Sequence, residues 1–370
     1  MKRISILVLI LCTYFVSVAW GQQSTSQVCT GWSEFHRPNM KRWNPCEKVL
    51  NVNNVGNLLK KWSRTLPYAV FPAPAVANGV VYVGSNGLYA LTAGTGAKLW
   101  SYTDAWSVYS SPAVANGVVY FGSQDGNFYA LNASTGAKLW SYSGGFGTPA
   151  VANGVVYVGV GYSVYALNAN TGALLWSYVT RGSVGSSPAV ANGVVYVGAG
   201  DHNVYALDAS TGAKLWSYAT GGVVGSSPVV ANGVVYFGSL DNNVYALNAS
   251  TGALLWSYGT GSYVWSSPAV AKGAVYVGSL DGNVYALNAT TGAKLWSYTT
   301  GNQVRSSPAV ANGVVYVGSE DNNVYALDAS TGAKLWSYAT GDIVDSSPAV
   351  ANGRVYVGSQ DRKIYAFGLP

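Results

Sequence analysis

The stretch SSPAVANGVVYFGSQDGNFYALNASTGAKLWSY, residues 110–142, decides the fold. Asn116-Gly117 lies between two apolar runs, a pair that closes a two-residue hairpin because both turn positions need positive φ. Gln124-Asp125-Gly126-Asn127 forms a second turn and Asn132 to Gly136 a third. The intervening segments PAVA, VVYFG, FYAL and AKLWSY are rich in β-branched and aromatic residues, which favours four short strands. VVYFG is apolar at successive positions, as a strand covered on both faces requires.

The unit recurs with a period near 40 from residue 72 onward, marked by Pro74, Pro112, Pro149, Pro188, Pro228, Pro268, Pro308 and Pro348. A period of that size points to a propeller or a solenoid, and four antiparallel strands covered on both faces make a propeller blade. Eight such units predict an all-β, eight-bladed β-propeller of four-stranded antiparallel blades. The last unit ends at IYAFGLP (364–370) without its outer strand, while LLKKWSRTL (58–66), with Trp62, precedes the first unit. Pairing this N-terminal strand into the last blade closes the ring. The expected organisation is a signal peptide over 1–21, a lead-in over 22–57 and the propeller over 58–370.

Ala130-Leu-Asn132-Ala-Ser-Thr135-Gly136-Ala-Lys-Leu-Trp140 resembles the tryptophan-docking motif of quinoprotein-like (PQQ-like) β-propellers, and it recurs from Ala206, Ala246, Ala286 and Ala326. The lead-in Asn53-Asn54-Val55 to Trp62 is similar to that family's entry into its first blade. The resemblance implies structural docking roles for Trp62, Trp100, Trp140, Trp176, Trp216, Trp256, Trp296 and Trp336. It points to the non-catalytic branch that resembles outer-membrane-protein assembly propellers. The motif also has its own physical sense. Asn132 or Asp208 can bond turn amides, Gly136 can take positive φ, and Trp140 can fill the gap between blades.

Charged residues make up only 9% of the chain, so its surface is built largely from Ser, Thr, Asn, Gly and Tyr. The net charge of +6 is uneven: residues 22–64 carry seven Lys/Arg against two Glu, and residues 65–370 carry eleven against twelve acids. A near-neutral body offers no basic surplus for phosphates, so no nucleic-acid partner is expected. Lys2-Arg3, the apolar run ISILVLILCTYFVSV and Ala19-Trp20-Gly21 read as a secretory signal, too short for a membrane span. LILC lacks the small residue that precedes a lipidated Cys12. An exported chain, periplasmic or extracellular, with no transmembrane helix once mature, is expected to pair Cys29 with Cys46. A monomer is expected.

Quinone-dependent dehydrogenases of the resembling family use calcium beside the quinone and an Asp base, and the alcohol-oxidising type adds a disulfide between adjacent cysteines. This chain has no adjacent cysteines and no CxxCH haem site, and Glu320 is the only Glu beyond residue 64. No catalytic residue, metal site or cofactor is therefore expected, with PQQ and calcium as the alternative. Asp125, Asp241, Asp281, Asp321 and Asp361 hold one fixed place in the second turn and read as turn formers. Asp201-His202 lacks a nucleophile signature beside it.

The copies differ mainly on one face. The position before the conserved strand entry reads Phe71, Tyr109, Phe146, Gly185, Gly225, Trp265, Arg305 and Asp345. First strands are innermost in the resembling family, so these residues are expected to ring the channel mouth, joined by Tyr263 and His202. Arg305 and Asp345, one blade apart, are placed to pair. The predicted ligand face thus comprises Phe71, Tyr109, Phe146, Trp265, Arg305, Asp345, Tyr263 and His202. Aromatic groups around a polar mouth suit a protein, peptide or glycan. A binding scaffold is the first reading, a carbohydrate-binding module the second and a PQQ-dependent dehydrogenase the third.

Overall fold

The computed structural model describes residues 31–35, 41–145 and 147–370. The signal segment, Cys29 and Phe146 lie outside them, so the signal and disulfide readings rest on the sequence. Eight antiparallel sheets follow one another around a central axis, each built from an inner three-residue strand, two middle strands and an outer strand. In blade five these are Val229–Ala231, Val234–Gly238, Asn243–Asn248 and Leu254–Gly259. Asn116 and Gly117 adopt φ of 50° and 77°, the left-handed pair that the two-residue hairpin requires.

The ring closes as the sequence implies. Leu59–Thr65 pairs antiparallel with Lys363–Gly368 and supplies the outer strand of blade eight. The hydrophobic cores lie between blades. Ala269, Tyr276 and Val284 of blade six share one cluster with Val310, Val315 and Val317 of blade seven.

Docking between blades has a defined chemistry. The indole of Trp256 donates to the Ala289 carbonyl in the next blade at 3.0 Å, and the Tyr236 hydroxyl donates to the same oxygen at 3.0 Å. The same two-donor clamp falls on Ala133, Ala169, Ala209, Ala249 and Ala329. It also falls on Ala93, with Trp62 and Tyr356 as donors, so Trp62 belongs functionally to blade eight. At the seam between blades seven and eight the N-terminal strand replaces the usual turn. Trp336 there docks on the Leu58 carbonyl, and the Tyr316 hydroxyl is buried without a partner.

The repeated Ser-Ser pair forms two partial belts around the channel. In blades five to seven the first serine donates to the next blade's first-serine carbonyl, Ser226 to Ser266, Ser266 to Ser306 and Ser306 to Ser346, and Ser346 of blade eight donates to Pro72 across the closure. Ser110 and Ser186 donate instead to Gly122 and Gly198 of their own blades. The second serine accepts the amide of the preceding blade's second serine, as in Ser187 to Ser227 and Ser227 to Ser267. Each bond contributes roughly 0.5–1.5 kcal/mol, and the belts explain why the pair scarcely changes.

Candidate functional site: the channel mouth and its plug

The lead-in does more than introduce the first blade. Trp32 exchanges two backbone hydrogen bonds with Val76 on the inner strand of blade one, at 2.8 and 2.6 Å. Val114 of blade two donates to the Ser33 carbonyl, and Val151 of blade three donates to a Glu34 carboxylate oxygen. On the other side, Val270 and Val310 donate to the carbonyls of Lys41 and Arg42. Trp43–Asn44 then pairs parallel with Ala309–Ala311 as a fifth strand on blade seven. A short inner strand leaves its middle N–H and C=O facing the channel, and the lead-in meets part of these groups, on blades one to three and six to eight.

Arg42 is fully buried at the centre of this plug. Its guanidinium donates to the carbonyls of Phe35, Ser307, Pro308 and Pro348 at 2.6–3.3 Å and lies 4.4 Å over the Phe35 ring. Burial lowers its pKa to about 9. Farther along, both carboxylate oxygens of Glu47 are used, one by the amides of Val49 and Leu50 and the other by Gly353.

Above the plug, on the variable face, lies a basin of about 310 Å³ lined by Phe35, Thr148, Gly185, Gly225, Trp265, Arg305, Asp345 and the second serines of blades four to seven. Trp265, Arg305 and Asp345 of the predicted set thus meet in one depression. A Cβ on Gly225 would lie only 3.3–3.4 Å from the Trp265 indole, so the small residue of blade five makes room for the large one of blade six. Phe71 and Tyr109 form an edge-to-face pair with ring centroids 5.3 Å apart. Tyr109, Tyr263 and Trp265 are each about half exposed at 47%, 50% and 45%. Phe71, Tyr109, Tyr263 and His202 do not line the basin, and Phe146 lies outside the described residues.

The pairing expected between Arg305 and Asp345 does not form. Arg305 instead bridges to Glu320 in its own blade at 2.5 Å, and Asp345 accepts a hydrogen bond from Gln360 at 2.8 Å. The reason is proximity: in each case the second turn of the same blade offers a partner beside the strand entry. The other Asp345 oxygen is buried without a partner, and burial raises this carboxyl's pKa, partly offset by Gln360 and the nearby Arg305 charge.

The recurring aspartates are fully engaged. Asp241 accepts the Tyr245 hydroxyl at 2.7 Å, the Gly221 amide of the incoming link at 2.8 Å and the Asn243 amide at 3.0 Å. Burial pushes its pKa up, and these hydrogen bonds bring it below the ordinary value. Asp201 is used in the same way by Tyr205 and by the Arg181 amide, while His202 occupies a turn position with φ of 68°. That aspartate orients a loop, and its carboxylate is not directed at the imidazole of its neighbour.

The donor set does not fit a quinone-bound calcium. Calcium takes six to eight oxygens, usually including several carboxylates. Among the described residues no three of His, Cys, Asp and Glu come together, and the basin holds Asp345 as its sole carboxylate. No reaction step is derived through that group.

The family model described as outer membrane protein assembly factor BamB matches residues 59–149, 142–262, 219–308 and 280–368. The chain belongs to this BamB-type family of PQQ-like propellers. BamB from Moraxella catarrhalis is 23% identical with a TM-score of 0.71, covering 84% of this chain and all of that one. The quinohemoprotein alcohol dehydrogenase ADHIIG from Pseudomonas putida HK5 is 18% identical with a TM-score of 0.80, covering 92% and 80%. The computationally designed Ika8 protein is 21% identical with a TM-score of 0.75, covering 83% and 98%. At these identities the likeness is one of fold. No curated protein matches the sequence. No helix among the described residues is long and apolar enough to cross a membrane.

Sequence reasoning missed Phe35, Glu34 and Arg42 as channel residues, and Glu320 and Gln360 as the partners that hold Arg305 and Asp345. A signal was available for the plug. Two of the chain's three glutamates, Glu34 and Glu47, fall in the short lead-in of an otherwise charge-poor protein.

Proposed function

We propose that this BamB-type propeller is an exported, non-catalytic binding or scaffold protein that engages a protein or peptide through its variable face. The observation that carries the reading is convergence. Positions that differ between blades, Trp265, Arg305, Asp345, Gly185 and Gly225, meet in one basin whose floor is closed by Phe35. Half-exposed aromatics around that mouth offer large apolar contact with polar edges, the composition of protein-contact hot spots. The reading takes residues 1–21 as the export signal and pairs Cys29 with Cys46. Membership in a family described as an outer-membrane assembly factor supports a protein partner.

The test compares immobilised mature protein, the double variant Trp265→Ala/Tyr109→Ala, and Asn116→Asp on the conserved-turn face, each exposed to envelope extract and to a glycan array. The expected result is a defined set of proteins retained by wild type and Asn116→Asp and lost by the double variant. Retention by all three, or binding confined to glycans, contradicts it.

A further inference from the structure

A second cavity opens on the opposite, conserved-turn face, between the lead-in and the inner strands of blades two to four. Its volume is about 460 Å³, within the range of small-molecule sites. Asn153 and Asn192 stand at its rim, and Ser33 and Glu34 line it from the plug. Glu34 is 5% exposed and, among the described residues, receives one hydrogen bond, from the Val151 amide at 3.2 Å. None of the other described residues that line the cavity is charged. A carboxylate so placed has room in the cavity for a further partner. Glu47, the plug's other acid, takes three amide hydrogen bonds by comparison.

The inner strands also present carbonyl oxygens. Val151 and Val190 hold the same hairpin register as Val76, whose N–H and C=O both face the channel and bond Trp32. Across the axis the protein shows what such a wall accepts. There the Arg42 guanidinium sits on the carbonyls of Ser307, Pro308 and Pro348.

We propose that the cavity between blades two and four is a binding site for a small organic cation, a guanidinium or primary ammonium on a short chain, with Glu34 as its counter-ion. The cation takes the place of solvent at the carboxylate, and its remaining N–H groups are met by inner-strand carbonyls and the asparagine amide oxygens. The site lies on the face away from the basin and stands independently of the proposed function. Burial holds the free Glu34 carboxyl at a pKa of about 7, and a bound cation favours its ionised form.

The chain has three glutamates, so protein labelled with carbon-13 at glutamate carboxyls gives three resolvable signals. The probe is ethylguanidinium, titrated at pH 7 beside its neutral analogue ethylurea. The expected result is a saturable displacement of the Glu34 signal with half-effect at ~1–10 mM or below, and a response at least about tenfold weaker to ethylurea. The Glu34 titration should move down by about one pH unit or more. Glu34→Gln should abolish binding. Should that variant fail to fold, sequential correlation to Phe35 assigns the signal and the wild-type titration decides. An inert Glu34 signal, or an equal response to ethylurea, overturns the proposal.

Discussion

Gly292 and Gly273 sit in the two conserved-side turns of blade six, with φ of 72° and 80°, and they separate backbone strain from docking. A Cβ at Gly273 meets nothing within 4 Å. A Cβ at Gly292 would meet the Trp256 indole at 2.7, 2.8 and 3.0 Å, about 1 Å inside ordinary carbon contact. Gly273→Ala therefore costs only left-handed strain, roughly 1–2 kcal/mol. Gly292→Ala costs the same strain and also displaces the indole. That adds the bond to Ala289, about 0.5–1.5 kcal/mol, and a share of the ~3–5 kcal/mol that truncating a buried Trp removes. The expected total is about 2–5 kcal/mol, at least about 1 above Gly273→Ala. In a Trp256→Ala background the Gly292→Ala increment should fall back to about 1–2 kcal/mol, a coupling of contacting residues. Urea unfolding followed by far-UV circular dichroism measures all four proteins. Equal costs for the two glycine variants, or an increment unchanged by Trp256→Ala, would refute the docking account.

The seam makes its own test: Tyr236→Phe should cost about 1 kcal/mol through the lost bond to Ala289, whereas Tyr316→Phe should be neutral or stabilising because it removes an orphaned hydroxyl. Urea midpoints compare the two. Arg42→Met should destabilise by about 2–4 kcal/mol in the same assay, since buried carbonyls lose their donor while the guanidinium's desolvation is released in partial offset. Stability should also depend on pH in a way Glu34 dictates. Its folded pKa of about 7 lies above the ordinary 4.5, so the folded state holds the extra proton and stability falls as pH rises from about 4.5 to 7, by roughly 3 kcal/mol in total. Asp241, Asp321 and Asp361 act oppositely, their depressed pKa values giving stability that is present above the ordinary carboxylate range and lost as acid protonates them. Glu34→Gln should flatten the decline between pH 4.5 and 7 and leave the acid limb in place.

The blade was legible because its rules are local and repeated eight times. Asn-Gly turns, paired-face strands and the Ala-to-Trp motif each specify geometry within about 30 residues of one another. Even the closure of the ring could be read from Trp62, which stands where only an outer strand carries a tryptophan. The basin was legible in outline: the drift at Gly225, Trp265, Arg305 and Asp345 marked one mouth, where these four residues meet. What escaped is non-local and occurs once. Arg42 reaches carbonyls 265, 266 and 306 residues away, and no internal copy of the plug exists for comparison. The Arg305–Asp345 pairing failed for a related reason. The strand-entry alignment placed the two on adjacent blades, but the second turn of each residue's own blade supplies Glu320 and Gln360 at shorter range.

The claim that the variable face is the binding face is most directly tested by site-specific photocrosslinking in the producing cells. A photoreactive phenylalanine is placed in turn at positions 265, 109 and 116. The account predicts a discrete crosslinked partner from 265 and 109, at the channel mouth, and none from 116 on the conserved-turn face. Crosslinks from 116 alone, or equally from all three positions, would contradict it.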